Sequence, residues 1–277
     1  MKKKKPRSLK EVLEGKLSKE ELEILPRAFD IIGDIATIEI PEKLEGKKRL
    51  IGNALIETFK NIKVVTNKTG KIDTEFRIRK LEIIAGENRT ETIHREYGCS
   101  YKLDVESTYF SPRLGTERFR VASQVKENER VLVMFAGVGP YAVLIAKTKK
   151  PRSVYAIELN PKAFEYMLGN IKLNGVNVKA FGGDVREITP RIGKFDRIVM
   201  PLPKGAEDFL DTALPALNKN GIIHFYDFSG SEIDSVKKVR RICNKLCYRI
   251  EILNSIECGS YSPRLNRICI DFRVIED

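Results

Sequence analysis

Residues 130–135 form a short apolar run that leads into Ala136-Gly137-Val138-Gly139-Pro140, and a helical stretch opens at Tyr141. This strand, glycine turn and helix constrain the fold more than any other part of the chain. Small residues let the backbone turn tightly, and the first N–H groups of a helix have no partner inside it. Downstream, strand-like residues 153–158, 178–181, 196–200 and 221–226 alternate with helical stretches 160–174, 206–217 and 231–245. That alternation predicts a parallel sheet covered on both faces. No clear helix separates strand-like 248–254 from 267–274, which predicts an antiparallel pair at the end of the sheet.

The earlier part reads differently. Residues 8–25 are rich in helix formers with spaced leucines, and Ser18 is a candidate cap. Residues 29–40 are β-rich, 47–60 read as a helix and 62–66 as a strand. Three more short strands are expected at 75–85, 90–96 and 100–105. The expectation is an α+β domain over residues 1–105 with an antiparallel sheet. An α/β domain with a mixed, mostly parallel sheet is expected over 106–277.

Fifty Lys and Arg stand against 38 Asp and Glu, a formal net charge of +12. The first 105 residues hold 23 basic and 18 acidic side chains and the remainder 27 and 20. Both parts are therefore basic, which suggests a polyanionic partner. A hydrophobic content of 42% excludes a disordered polymer. No apolar run reaches the roughly 18 residues of a membrane span, and the lysine-rich start lacks the apolar segment of a secretory signal. A soluble, cytoplasmic protein is expected. The five cysteines include no Cys-x-x-Cys pair, and His94 and His224 are far apart, so no metal site is expected. Cys243 and Cys247, four apart in a helical stretch, read as small buried side chains. A Cys258–Cys269 disulfide is not expected in a cytosol.

Glu158 ends the second strand of the alternating part, about twenty residues after the loop, where a carboxylate accepts from ribose hydroxyls. Loop and acid fit NAD and S-adenosylmethionine (AdoMet) equally well. A plain tight turn is the bland alternative for Gly137 and Gly139. Asp184 follows the third strand, placed to accept from an adenine amine. Pro201-Leu202-Pro203 follows the fourth, a rigid turn at the carboxyl edge of the sheet. NAD domains do not usually need such a turn, so AdoMet is the favoured ligand.

At this point a family becomes visible. The chain resembles the archaeal and eukaryotic tRNA (guanine(37)-N1)-methyltransferases over nearly its whole length. The motifs are Phe76-Arg77, Tyr109-Phe110-Ser111-Pro112-Arg113-Leu114-Gly115-Thr116-Glu117-Arg118, Met134 to Pro140, Glu158-Leu159-Asn160-Pro161 and Pro201-Leu202-Pro203-Lys204. The resemblance implies a class I, Rossmann-like methyltransferase fold preceded by an RNA-contacting domain, with AdoMet as cofactor and tRNA as partner; a monomer is expected. It implies Glu117 as general base and Arg77 as the residue that stabilises the reacting guanine. Tyr109, Arg113 and Arg118 would hold the RNA. Phe135, Glu158, Leu159, Asp184 and Val185 would line the AdoMet pocket with Gly137 and Gly139.

The chemistry suits those residue types. Guanine N1 carries a proton at neutral pH and attacks poorly until a base removes it. A carboxylate can do so if its site raises its pKa towards neutrality. Negative charge then builds on O6, where a planar, always-charged guanidinium fits better than an ammonium. Local sequence alone gives blander readings: Arg77 on a solvated strand face, and Glu117 as an ion-pair partner of Arg113 or Arg118.

Three departures stand out. The family usually has Asn where this chain has Pro201. Archaeal members with Pro there are associated with a second methylation, on C7 of the wyosine intermediate 4-demethylwyosine, which suggests a dual-function enzyme. Val133 stands where many members have an acid. An extra N-terminal domain of the kind that grips the tRNA elbow in long members is not expected, so recognition is expected to rely on the anticodon region and distributed charge. Competing readings are an aminocarboxypropyltransferase of wyosine synthesis, a non-catalytic tRNA-binding protein and an NAD-dependent oxidoreductase.

Overall fold

Ser8 and Ser18 each open a short helix by the same device. Each hydroxyl accepts from the backbone N–H three residues on, Glu11 or Glu21, and that glutamate's carboxylate accepts from the serine N–H. The helices are α1 (Leu9–Leu13) and α2 (Lys19–Glu23). The computed structural model describes residues 8–72, 78–148, 151–262 and 264–275. It divides into two compact units, residues 1–95 with 102–112, and residues 96–101 with 113–277.

In the first unit, β1 (Asp30–Ile32), β2 (Ile35–Ile38), α3 (Lys48–Thr58), β3 (Val64–Ile72) and β4 (Arg79–Gly86) follow. The strands form a sheet in sequence order. β2 and β3 are parallel, which corrects the expected antiparallel sheet. Parallel neighbours need a crossover longer than a turn, and α3 is that crossover. It buries Ile51, Ala54 and Leu55 against Ile38 and Val65. The expected strand 75–85 begins at Arg79; the residues before Ile78, including Arg77, lie outside the described residues.

A hairpin follows, β5 (Glu91–Glu96) and β6 (Cys99–Asp104). Its base belongs to the first unit and its tip, residues 96–101, to the second.

The second unit runs α4 (Gly115–Gln124), β7 (Arg130–Val133), α5 (Pro140–Thr148), β8 (Ser153–Glu158), α6 (Pro161–Leu173), β9 (Val178–Gly182), α7 (Val185–Ile188), β10 (Phe195–Met200), α8 (Leu210–Ala213), β11 (Leu217–Ser229), α9 (Glu232–Lys245), β12 (Arg249–Ser262) and β13 (Leu265–Ile275). The sheet order is β12-β13-β11-β10-β7-β8-β9. β9, β8, β7, β10 and β11 are parallel and β13 and β12 antiparallel. The expected mixed, mostly parallel sheet is present, and so is the terminal antiparallel pair. Strand order reverses between β7 and β10, and in such sheets ligands bind outside the carboxyl ends at the reversal.

Two local expectations need correction. The helix expected over 206–217 is a string of short turns, 3-10 at Ala206–Phe209, α8, and 3-10 at Leu214–Ala216. Pro215 has no N–H to continue an α-helical ladder. Cys243 and Cys247 do not share a buried face: α9 ends at Lys245, and Cys247 lies exposed at φ +62. Cys243 is buried, which pushes its thiol up to about 11. Cys258 and Cys269 are free thiols.

Candidate active site

The loop after β7 is shaped by three alternate positive-φ positions, Phe135 (+54), Gly137 (+58) and Gly139 (+87). A non-glycine residue in the left-handed region is strained, and such strain concentrates at functional sites. Two ladder-like bonds tie the loop to the sheet, Met134 N–H to Val199 O at 2.9 Å and Ala136 N–H to Ile157 O at 2.9 Å. A Cβ on Gly139 would come within 2.9 Å of Met167 on α6, so the close packing of α6 on this turn requires glycine. Asn170, fully buried on α6, donates to Val138 O at 3.0 Å.

Glu158 closes this loop from the tip of β8. One carboxylate oxygen accepts from Gly137 N–H at 2.6 Å and the other from Asn160 N–H at 2.8 Å. Burial raises its pKa, opposed by those backbone donors. A carboxylate has about four acceptor positions, so both oxygens keep room for a diol. Leu159 beside it is 48% exposed, an apolar side chain without cover. Asp184 caps α7 by accepting from Arg186 N–H at 2.8 Å with one oxygen. Its other oxygen is 3.9 Å from the Arg186 guanidinium. Val185 is buried by its side chain and occupies the first helical position, where the N–H has no acceptor within the helix. The Phe135 ring meets Phe209 edge-on at 4.9 Å, and the Arg186 guanidinium lies 4.0 Å from the Phe209 ring. These residues offer apolar surface, one acceptor for an amine and two for a diol, the needs of an adenosine moiety.

After β10, Pro201-Leu202-Pro203 is a fixed turn. Leu202 N–H bonds Met200 O at 2.8 Å, and Phe228 N–H bonds Pro203 O at 3.0 Å.

Glu117, on the first turn of α4, is buried at 6% exposure. Arg120 grips it with a fork, Nε to Oε2 at 2.7 Å and Nη2 to Oε1 at 2.8 Å. Tyr226 on β11 donates to Oε1 at 2.5 Å, and Tyr141 on α5 donates to the Tyr226 oxygen at 2.9 Å. Burial pushes both phenols well above their ordinary pKa, so they remain donors. The chain of bonds thus runs from the helix behind the glycine loop to Glu117. Three of about four acceptor positions on this carboxylate are taken.

Arg120 also holds Asp271 on β13, Nη1 to Oδ2 at 2.5 Å and Nη2 to Oδ1 at 3.2 Å. Asp271 bonds His224 Nδ1 at 2.6 Å, His224 Nε2 meets Arg197 Nη1 at 2.8 Å, and Arg197 forks onto Glu129. Guanidinium only donates and carboxylate accepts, so His224 is neutral with its proton on Nδ1. Its pKa agrees: burial lowers it, against the pull of Asp271. His224, Cys269 and Asp271 are close enough together to suggest a metal site. Two guanidiniums already occupy the histidine and the carboxylate, and a cation there would face their charge.

The sequence motifs fare unequally. Arg118 lies 2% exposed with its guanidinium forked onto Glu96 at 2.6 and 2.7 Å. The expected RNA contact is corrected to a structural pair, because a buried guanidinium already bound to carboxylate does not reach a phosphate. Arg113 is exposed in the turn before α4, and Tyr109 is 38% exposed in the first unit. Arg77 lies outside the described residues. Arg120, Tyr226, Tyr141, Asp271, His224 and Phe209 were missed; only the i,i+3 spacing of Glu117 and Arg120 was a signal in the sequence.

The profile described as the TRM5/TYW2 methyltransferase domain matches residues 92–253, and that of the TYW2 N-terminal domain matches residues 9–90. The chain belongs to the TRM5/TYW2 methyltransferase family. The tRNA (guanine(37)-N(1))-methyltransferase Trm5b of Pyrococcus abyssi is 48% identical over 274 residues, covering 97% of this chain and 81% of the relative. The tRNA (guanine(37)-N(1))/4-demethylwyosine(37)-methyltransferase Taw22 of Nanoarchaeum equitans is 34% identical, covering 86% of this chain and 98% of the relative. A solved complex of aTrm5 with tRNALeu superposes with a TM-score of 0.85 at 34% identity, covering 100% of this chain and 82% of that one. The resemblance seen in the motifs is therefore real, and so is the methyltransferase fold of this TRM5/TYW2 member.

Proposed function

We propose that the chain methylates N1 of guanine 37 in tRNA, with AdoMet as the methyl donor. The observation that carries this reading is the hydrogen-bond line from Tyr141, behind the glycine loop, through Tyr226 to Glu117. It ties the candidate base to the candidate cofactor loop within one unit. Glu158 takes the ribose hydroxyls, Asp184 the adenine amine, Val185 N–H a ring nitrogen, and Phe135 and Leu159 the adenine faces. Gly137 and Gly139 let the backbone approach. Bound AdoMet supplies an electrophilic methyl group.

Guanine leaves its stack to reach the site. Glu117 takes the N1 proton at its remaining acceptor position, while Arg120 and Tyr226 hold the carboxylate still. Arg77 stabilises the charge on O6, and Tyr109 and Arg113 hold the RNA. The domain before about residue 105 serves RNA contact. The enzyme works as a cytoplasmic monomer without metal; no described helix is long and apolar enough to cross a membrane.

Pro201 favours a second activity. It presents no side-chain donor, and the Pro201–Pro203 turn is held by Phe228. The Taw22 relative carries a name with both methylations. Incubation with labelled AdoMet and tRNA bearing guanine 37 or 4-demethylwyosine, followed by nucleoside mass spectrometry, tests both. A methyl on N1 is expected from the first and on C7 from the second. Transfer of an aminocarboxypropyl group instead, or no transfer, would overturn the reading.

A further inference from the structure

The tip of the β5–β6 hairpin is a two-residue turn, Tyr97-Gly98, with φ of +46 and +73. Two positive values mark a type I′ turn, whose first position favours Asn, Asp or Gly. Tyrosine there is strained, and nothing in the turn itself calls for an aromatic ring. The ring lies parallel to Phe119 on α4, with centroids 4.7 Å apart and planes 12° from each other. Both remain open to solvent, Tyr97 at 45% and Phe119 at 43%. The pair adds little to the core, yet the chain bears strain to keep it.

The stack is rigidly mounted. The buried Glu96–Arg118 fork joins the hairpin to α4 beside it. Asn174 at the end of α6 bonds both the N–H and the carbonyl of Ser100, at 2.9 and 2.7 Å. Gly115 admits the hairpin: a Cβ there would stand 3.0 Å from Glu96 Oε2 and 3.5 Å from the Tyr97 ring. Thr116, Phe119 and Ser123 form the exposed stripe of α4, at helical spacing. Arg113 stands exposed just before that stripe. Just after it lies a cleft of about 720 Å³ lined by Lys126 and Lys147, with Glu127 as its one acid. Cations thus bracket an aromatic stack along one helix, the arrangement that suits a single-stranded nucleic acid.

We propose that Tyr97 and Phe119 form a stacking platform for one unpaired base of the RNA substrate, with Arg113, Lys126 and Lys147 serving its flanking phosphates. The proposal rests on the tRNA reading above and adds a contact outside the cofactor pocket. The chain contains no tryptophan, so Phe119→Trp introduces a single indole reporter. Its emission should be quenched when unmodified tRNA is added, with wild-type affinity retained. Phe119→Ala should raise the Kd for tRNA about five- to hundredfold, with AdoMet affinity unchanged. Tyr97→Asn gives the turn the residue it favours, so it should melt at a higher temperature and bind tRNA more weakly. Unquenched indole emission, or an unchanged Kd in Phe119→Ala and Tyr97→Asn, would overturn the platform while wild-type methylation still upheld the enzyme. A change in self-association without a change in tRNA affinity would assign the face to a second copy and equally overturn it. Wild-type protein that neither binds nor methylates tRNA would instead remove the tRNA reading itself.

Discussion

The Tyr226 hydroxyl donates to Glu117 at 2.5 Å and accepts from Tyr141 at 2.9 Å. Removing the Tyr226 hydroxyl strands a buried donor on Tyr141 and takes a partner from Glu117. Tyr226→Phe should therefore lower unfolding stability by about 1–3 kcal/mol. Tyr141→Phe should cost less, since Tyr226 keeps Glu117. The double variant should cost less than the sum, because the two hydroxyls share one bond. Urea unfolding of the four proteins checks this, and strict additivity would contradict the chain of bonds.

Glu117→Gln keeps the shape and removes the base. Single-turnover methylation of guanine 37 should fall roughly 10²- to 10⁴-fold, while AdoMet binds as before. Unchanged turnover would remove Glu117 from the base role.

AdoMet affinity should depend on pH through Glu158. Burial raises the pKa of this carboxyl, and the protonated form offers fewer acceptors to ribose hydroxyls. Affinity should be full at alkaline pH and weaken as pH falls through that raised value. Calorimetric titration from alkaline pH down through the carboxylate range measures it. Glu158→Gln should bind weakly with no such slope; a wild-type affinity flat across that span would count against the assignment.

His224 sets the first acid loss of stability. Burial lowers its folded pKa, whereas the unfolded residue takes a proton near about 6.5. Below that pH the unfolded state binds more protons, so stability falls as pH drops. Asp271 acts later. Burial alone would raise its pKa, but bonds from His224 and Arg120 hold it well below the carboxylate range. Its contribution is present above about 3.9 and is lost only in stronger acid. Thermal melts between pH 7.5 and 5 should show a declining melting temperature, with that early decline absent in His224→Gln.

The parallel half of the fold was legible because its signal is local. Strand, turn and helix announce themselves by period and by residues such as Gly137 and Asn160. The direction in which β2 meets β3 was not legible, since apolar spacing does not name the neighbour. The same limit governs the site. Glu158 and Asp184 follow strands and were found by position. Tyr226 and Asp271 meet their partners across 109 and 151 residues, and only the fold joins them. Arg118 and Arg120 are two apart in Thr116-Glu117-Arg118-Phe119-Arg120, and helical phase decides between them. It turns Arg118 to Glu96 and Arg120 to Glu117. A string of letters shows two equivalent cations; a helix shows two different jobs.

The clamp on Glu117 has a history in time as well as a place in space. The base and its Arg120 fork emerge early in synthesis, but Asp271 follows Arg120 by 151 residues. At roughly 5–20 residues per second, that is a wait of roughly eight to thirty seconds on a ribosome. β13 must then insert between β11 and β12 rather than add to an open edge. A nascent chain carries the candidate base long before it carries Asp271, so the clamp is completed only when that strand is seated.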